Sequence, residues 1–339
     1  MSREKARAEW RGKRRARGVG DFQGARGRVR ASFPLPCAMT AHKNRASFMF
    51  AGTFTALVTP FREDRVDEAA FAALIETQVA GGVTGVVPVG TTGESPTLTH
   101  QEHLRVFELA VQSAKGRVKV MAGTGSNSTK EAIEYTTEAE RLGADAALIV
   151  APYYNKPTPE GIYRHFRAIA AETKLPIMLY SIPGRCGVEI AVETCARLAA
   201  DCPNIVAIKE AGGKVERVTA LKAALPEGFE ILSGDDGLTL SFIKAGAVGV
   251  VSVASNLIPR EVSDFVGAAL AGRFDEAQEL HDKYAELYTN LFVESNPAPI
   301  KQALAWQGRM TAEVRLPLVE LQPESQDKLR ATMKALKLV

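Results

Sequence analysis

From Gly52 onward the apolar and polar positions keep one rhythm: short runs rich in β-branched residues alternate with longer amphipathic stretches. Short runs that are apolar on both faces, separated by helical intervals, predict parallel strands covered by helices. The runs are TFTALVT (53–59), GVVPV (85–89), VKVMAG (118–123), AALIV (146–150), PIMLY (176–180), IVAIK (205–209), EILSG (230–234) and VGVVSV (248–253). Eight such units predict an α/β chain closed into a (β/α)8 TIM barrel rather than an open sheet. Helix starts agree with the count. Thr99 with Glu102 and Ser128 with Glu131 have the spacing of a capping box, and Pro159 follows Thr158 where a first-turn proline is favoured. These place helices near 99–114, 128–142 and 159–172. Beyond the eighth unit, RFDEAQELHDKYAELYTNLF and NPAPIKQALAWQG predict further helices. The expected organisation is a barrel over 49–272 and a small C-terminal helical domain over 273–339.

Charge changes the picture only at the start. Residues 1–48 carry thirteen Lys and Arg against three acids, a net +10; the whole chain is +3, so the remainder is −7. This segment lacks hydrophobic periodicity and is expected to be a disordered extension or a start-site artefact, with translation beginning at Met39 or Met49. A nucleic-acid arm or a transit peptide are the other readings of such a basic run. No run reaches the ~20 apolar residues of a membrane helix. The four cysteines have no C-x-x-C spacing. They read as reduced thiols of a cytoplasmic protein, with neither membrane nor nucleic acid as partner.

The chemistry clusters at one end of the strands. GTTGES, GTGSN, PYYNKP, YSIPGRCG, Lys209, SGDD and SVASN all stand at C-terminal strand ends, where barrel active sites are built. Each alone reads as a turn. Together they surround the one strand whose apolar run ends in a lysine. An ammonium there must snorkel, find a partner or lose its proton; a neutral amine attacks a ketone or aldehyde and forms a Schiff base. Tyr180, one strand away, offers a phenol, and with Thr91 and Tyr154 it can relay protons without a metal. The hydroxyls and N–H groups of GTTGES suit a 2-oxo acid carboxylate.

GTTGES, PYYNKP, LYSIPGR, AIKEA and LSGDD, in this order from about Gly52 to the C-terminus, resemble the pyruvate-dependent class I aldolases, and among them the dihydrodipicolinate synthases. The resemblance implies that Lys209 forms the Schiff base with pyruvate. It implies that Tyr180, Thr91 and Tyr154 form the proton relay, Tyr154 serving the neighbouring subunit of a homotetramer built from tight dimers. Thr91 and Thr92 would hold the pyruvate carboxylate, with Gly234 and Val250 also at the substrate, and Arg185 would hold the carboxylate of aspartate 4-semialdehyde. No cofactor and no metal are implied. Ser181 and Cys186 depart from the asparagine and threonine commoner after strand five. Sialic-acid lyases and sugar-acid aldolases share the lysine and tyrosine. Arg185 favours a short anionic acceptor, because a guanidinium fork matches a carboxylate.

A second group comprises Ser95, Pro96, His100, His103, Asn127, Glu131 and Tyr153. His100 and His103, three apart, share a helix face. Two imidazoles without a third ligand are a poor metal site. A plain helix surface with Glu131 as a cap is the ordinary reading. The resemblance implies an L-lysine effector pocket at the dimer interface, Glu131 facing the α-ammonium and Asn127 the α-carboxylate. A catalytically silent, lysine-sensing barrel is the remaining alternative.

Overall fold

The computed structural model describes residues 49–339; the basic segment 1–48 lies outside the described residues. Eight parallel strands close into a barrel, each hydrogen-bonded to its neighbours in sequence and the first to the eighth. They are β1 (Gly52–Ala56), β2 (Gly85–Val87), β3 (Lys119–Gly123), β4 (Ala146–Val150), β5 (Ile177–Ser181), β6 (Ile205–Glu210), β7 (Glu230–Ser233) and β8 (Gly249–Ser252). The helices outside them are α1 (Glu68–Gly81), α2 (His100–Ala114), α3 (Thr129–Leu142), α4 (Pro159–Ala171), α5 (Val192–Asp201), α6 (Val215–Ala224), α7 (Thr239–Lys244) and α8 (Pro259–Leu270). Three more, α9 (Phe274–Asn290), α10 (Ala298–Trp306) and α11 (Pro323–Ala335), follow in the same compact unit. The fold is the (β/α)8 barrel with C-terminal helices that the pattern predicts. No described helix is long and apolar enough to cross a membrane.

The period of two along a strand divides the apolar side chains into two cores. Ile177, Leu179, Ile205, Ile208 and Val250 face the helical layer. Met178, Tyr180, Ala207, Leu232 and Val251 fill the barrel lumen. Phe50 and Phe54 meet edge to face at 5.9 Å and fill the lumen's N-terminal end. Glu230 anchors them there, accepting from the backbone N–H groups of Met49 and Phe50 at 2.7 Å each.

The strands end earlier than several apolar runs. Leu57, Val58, Pro88 and Val89 are all buried, but the chain leaves β1 at Ala56 and β2 at Val87. Val89 is already left-handed at φ 57°, a costly conformation for a β-branched residue, of the kind found at functional sites. A two-stranded ribbon, Phe61–Arg62 with Arg65–Val66, and a helical turn at Pro183–Cys186 fall where the pattern predicts only loop. The capping box at Thr99 is complete. At Ser128 only half of it forms: Ser128 Oγ accepts from Glu131 N at 3.4 Å, while the Glu131 carboxylate accepts from Ser126 Oγ instead of from the Ser128 backbone.

Candidate active site

At the C-terminal mouth a chamber is lined by Thr91, Thr92, Ser95, Tyr180, Arg185, Lys209 and Gly234, together with Asn296 and Phe292 from beyond the barrel. Lys209 enters it because it is in register with Ala207, on the lumen face of β6. Its strand partner across the ladder is Tyr180, and the Nζ lies 4.2 Å from that ring's centre. Only 6% of Lys209 is exposed. Burial lowers its pKa to about 7, the Arg185 charge adding to the fall and the buried Asp236 opposing it. An amine at that value is substantially neutral near pH 7. Gly234 makes the room: a Cβ there would stand 2.9 Å from Lys209 Cε and 2.7 Å from Ala211 Cβ.

Burial raises the Tyr180 pKa well above the ordinary phenol value, the nearby Arg185 charge and the Thr91 side chain only partly offsetting it, so the phenol holds its proton. Thr91 belongs to a tight turn in which the N–H groups of Gly93, Glu94 and Ser95 fold back onto the Gly90 and Thr91 carbonyls at 3.0–3.3 Å. Among the described residues this leaves the Thr91 and Thr92 N–H groups without a backbone partner, pointing to an anion seat of the nest type. Asp236, buried behind the lysine, accepts from Val253 N and Ala254 N at 3.0 Å and ties the ends of β7 and β8 together. Burial raises its pKa, the hydrogen bonds from Ser252 and these amides partly offsetting that. Arg185 sits exposed at the rim, its Nη2 3.4 Å from the Asn296 carbonyl.

Two expected residues are not in the chamber. Val250 points the wrong way: it is one residue out of phase, so its side chain packs under the helices, while Val251 faces the lumen and Val253 lines the chamber. Tyr154 is 89% exposed, held at φ 71°, and does not line its own protomer's chamber.

The second group is gathered beside the first. His103 Nε2 donates to the Ser95 carbonyl at 3.0 Å, which links the group to the chamber wall. His103 is buried and its pKa falls to about 4, burial being the main cause and His100 a second. It is therefore neutral and packs edge-on to Tyr135 at 4.3 Å, while the exposed His100 stacks on the same ring at 5.1 Å. Only His100, rather than both imidazoles, is open to a ligand. Ser126 Oγ donates to the Glu131 carboxylate, and burial, with the Glu131 charge adding to it, raises the pKa of the neighbouring Tyr153 phenol. Asn127 Nδ2 donates to the Tyr153 carbonyl at 3.2 Å, and Asn155 Nδ2 to the Asn127 carbonyl at 3.0 Å. Pro96 is exposed in a single 3-10 turn, Ser95–Thr97. Among the described residues no group of three or more His, Cys, Asp or Glu is gathered as a metal site.

Sequence reading missed Asp236, Asn296, Ser126 and Tyr135. Asp236 lies in the SGDD motif and Asn296 opens NPAPIKQ, so both were in view, but neither carries a local mark of its partner. Tyr135 is an aromatic on the buried face of α3, where a core role is the default.

A closed parallel barrel with one buried, deprotonation-prone lysine facing a tyrosine, a threonine hydroxyl and an anion seat defines a lyase of the Schiff-base-forming barrel class. Comparison with known proteins narrows this. Residues 49–336 match the dihydrodipicolinate synthetase family, and the chain belongs to that family. A 4-hydroxy-tetrahydrodipicolinate synthase of Aquifex aeolicus is 49% identical over 286 residues, covering 84% of this chain and 97% of the relative. The solved synthase of Methylacidiphilum fumariolicum SolV is 53% identical with a TM-score of 0.84, covering 85% of this chain and 96% of its own. A structure from Cyanidioschyzon merolae with lysine bound is 42% identical with a TM-score of 0.83, covering 86% and 99%.

Proposed function

We propose that this chain condenses pyruvate with L-aspartate 4-semialdehyde through a Schiff base on Lys209, giving 4-hydroxy-tetrahydrodipicolinate in lysine and diaminopimelate biosynthesis. The observation that carries the reading is the buried amine of Lys209, its pKa lowered to about 7, set against Tyr180 at the closed end of a chamber with an anion seat. The neutral Nζ adds to the pyruvate ketone, and loss of water leaves an iminium. That cation draws electrons from the methyl carbon, which gives up a proton and becomes the enamine carbon. The enamine forms the new carbon–carbon bond to the aldehyde, whose oxygen takes a proton. The acceptor's own amine then displaces Lys209 and frees it. The proton relay falls to Tyr180, Thr91 and Tyr154; burial that keeps the Tyr180 phenol protonated supports its part in giving and retaking the protons. Thr91 and Thr92 seat the ketoacid carboxylate, and Arg185 at the rim meets the acceptor's carboxylate.

Incubation with pyruvate and borohydride should add one reduced pyruvate to Lys209, read by peptide mass. An adduct on another lysine, or full turnover by Lys209→Ala, would remove the Schiff-base reading.

The exposure of Tyr154 supports assembly: a tyrosine that misses its own chamber completes that of a second copy, in a tight dimer that pairs again into a tetramer. The second group supports inhibition by L-lysine. Glu131, the Tyr153 hydroxyl and the Asn127 amide gather charges and donors suited to an amino acid's two ends. Coupling of this kind is typically about 1–3 kcal/mol, so partial inhibition is expected. Wild type should lose activity at millimolar L-lysine while Glu131→Ala resists; an insensitive wild type, or an equally inhibited variant, argues for a capped helix end only.

A further inference from the structure

The condensation reading leaves open why a segment far along the chain reaches the chamber. Asn296, 5% exposed, stands in the chamber wall. Its Nδ2 donates to Thr92 Oγ1 at 2.9 Å, and its carbonyl lies 3.4 Å from Arg185 Nη2. One turn further, Lys301 Nζ meets Glu94 Oε1 at 2.6 Å, both side chains wholly buried. The second Glu94 oxygen accepts from Arg315 N at 3.0 Å. The segment is thus fastened to the same GTTGES turn that carries Thr92.

We propose that Asn296 is a positioning residue that sets the direction of the Thr92 hydroxyl hydrogen. A threonine hydroxyl has one hydrogen to give and lone pairs with which to accept. With the Asn296 amide donating into the oxygen, the hydrogen stays free for the carboxylate of the ketoacid. A carboxylate at position 296 would reverse the bond and turn that hydrogen away. The Asn296 Oδ1 is buried without a donor, so the side chain's single recorded partner is Thr92. Through its main-chain carbonyl the same residue references the rim arginine. The anion seat and the acceptor's arginine therefore share one fixed point. This inference rests on the condensation reading.

The test is steady-state kinetics on Asn296→Asp, nearly isosteric, beside Asn296→Ala. A charge-assisted bond turned from helpful to harmful should raise the KM for pyruvate about tenfold or more in the Asp variant, with kcat at saturating pyruvate changing less than about threefold. The Ala variant, which leaves the hydrogen free but undirected, should raise it by about three- to fivefold. The KM for the aldehyde should stay within about threefold in both, since Arg185 is met by the main chain. In a Thr92→Val background the Asn296→Ala change should add nothing. An Asp variant no worse than Ala, an unchanged pyruvate KM in the Ala variant, or an undiminished Ala effect without the Thr92 hydroxyl would each overturn the proposal. Should Asn296→Asp fail to fold, Asn296→Ala with the Thr92→Val cycle decides alone. Borohydride trapping of the wild type runs in parallel: its failure strikes the Schiff-base reading, whereas trapping with a normal pyruvate KM in every Asn296 variant strikes only this one.

Discussion

Lys209 shows what burial does to one amine. Water stabilises an ammonium, and a lumen lined by Leu232, Met178 and a tyrosine face does not replace it. Asp236 is the nearby opposite charge, but its carboxylate already accepts two backbone N–H groups, so its pull only partly cancels the loss. The sign of the pH effect follows. Folding lowers the lysine's pKa, so the unfolded chain binds the extra proton between about pH 7 and the ordinary lysine value. The burial penalty is full below about pH 7 and fades as pH rises through that window. For the chemistry the same shift is a gain. The rate of pyruvate trapping at Lys209 should climb through about pH 7 and then level off, where an unperturbed lysine would still be climbing at pH 9. A trapping rate with no plateau below pH 9 would mean that the amine is hydrated in solution.

At the scale of elements, the residue after Lys209 explains why the strand end is rigid. Glu210 points away from the chamber and is wholly buried, its carboxylate taking Arg217 Nε at 2.7 Å and Gly212 N at 2.7 Å. Arg217 in turn donates to the Ile190 carbonyl and meets Glu189 at 3.1 Å. Ser181 adds a weak tie, accepting from Ile190 N at 3.4 Å. The ion pair thus clamps the far end of the loop that carries Arg185 to the strand that carries Lys209. Arg217→Met, which strands the buried Glu210, should destabilise the fold by about 3–5 kcal/mol, while Glu210→Gln with Arg217→Met should recover much of it. Thermal melts of the two variants check this; equal losses would mean that the pair is not coupled. The strands themselves were legible because a parallel barrel buries both faces, and Ala146–Val150 has the bounds its apolar run predicts. Where 57–59 and 88–89 were overread, the residues are buried as loops folding over the barrel top, and burial alone does not separate loop from strand. The positions of Lys209, Tyr180 and Thr91 at the barrel mouth were legible because each stands one residue before a strand's end or in the turn after a strand. Asn296 was not, since its contact with Thr92 joins residues 204 apart in sequence. That Val251, not Val250, faces the lumen was not legible, because a run of three valines and a serine carries no phase; only the packing supplies it.

For the whole molecule, the exposed Tyr154 carries a prediction that a single chain cannot test. If Tyr154 of one protomer serves the next, a mixed dimer of Lys209→Ala and Tyr154→Phe chains contains one chamber with both residues intact. Each variant alone should be nearly inactive, and co-expression should restore up to about half of wild-type activity per mixed dimer, since proton relay by a positioned group is worth roughly 10²–10⁴ in rate. Co-expressed variants no more active than their separate mixtures would show that Tyr154 works within its own chain or not at all.

The plug of Phe50 and Phe54 at the other end of the lumen has a consequence of its own. Among the described residues the barrel floor is filled by two aromatic rings held in place by Glu230, so the chamber opens at its C-terminal mouth and not through the floor. On the condensation reading, arrivals and departures share that mouth, and depth sets the order of traffic: the molecule tethered at the back wall enters first, and the second is caught at the rim after it. The water of iminium formation leaves first on that reading, and the joined product then departs through the mouth by which both partners came.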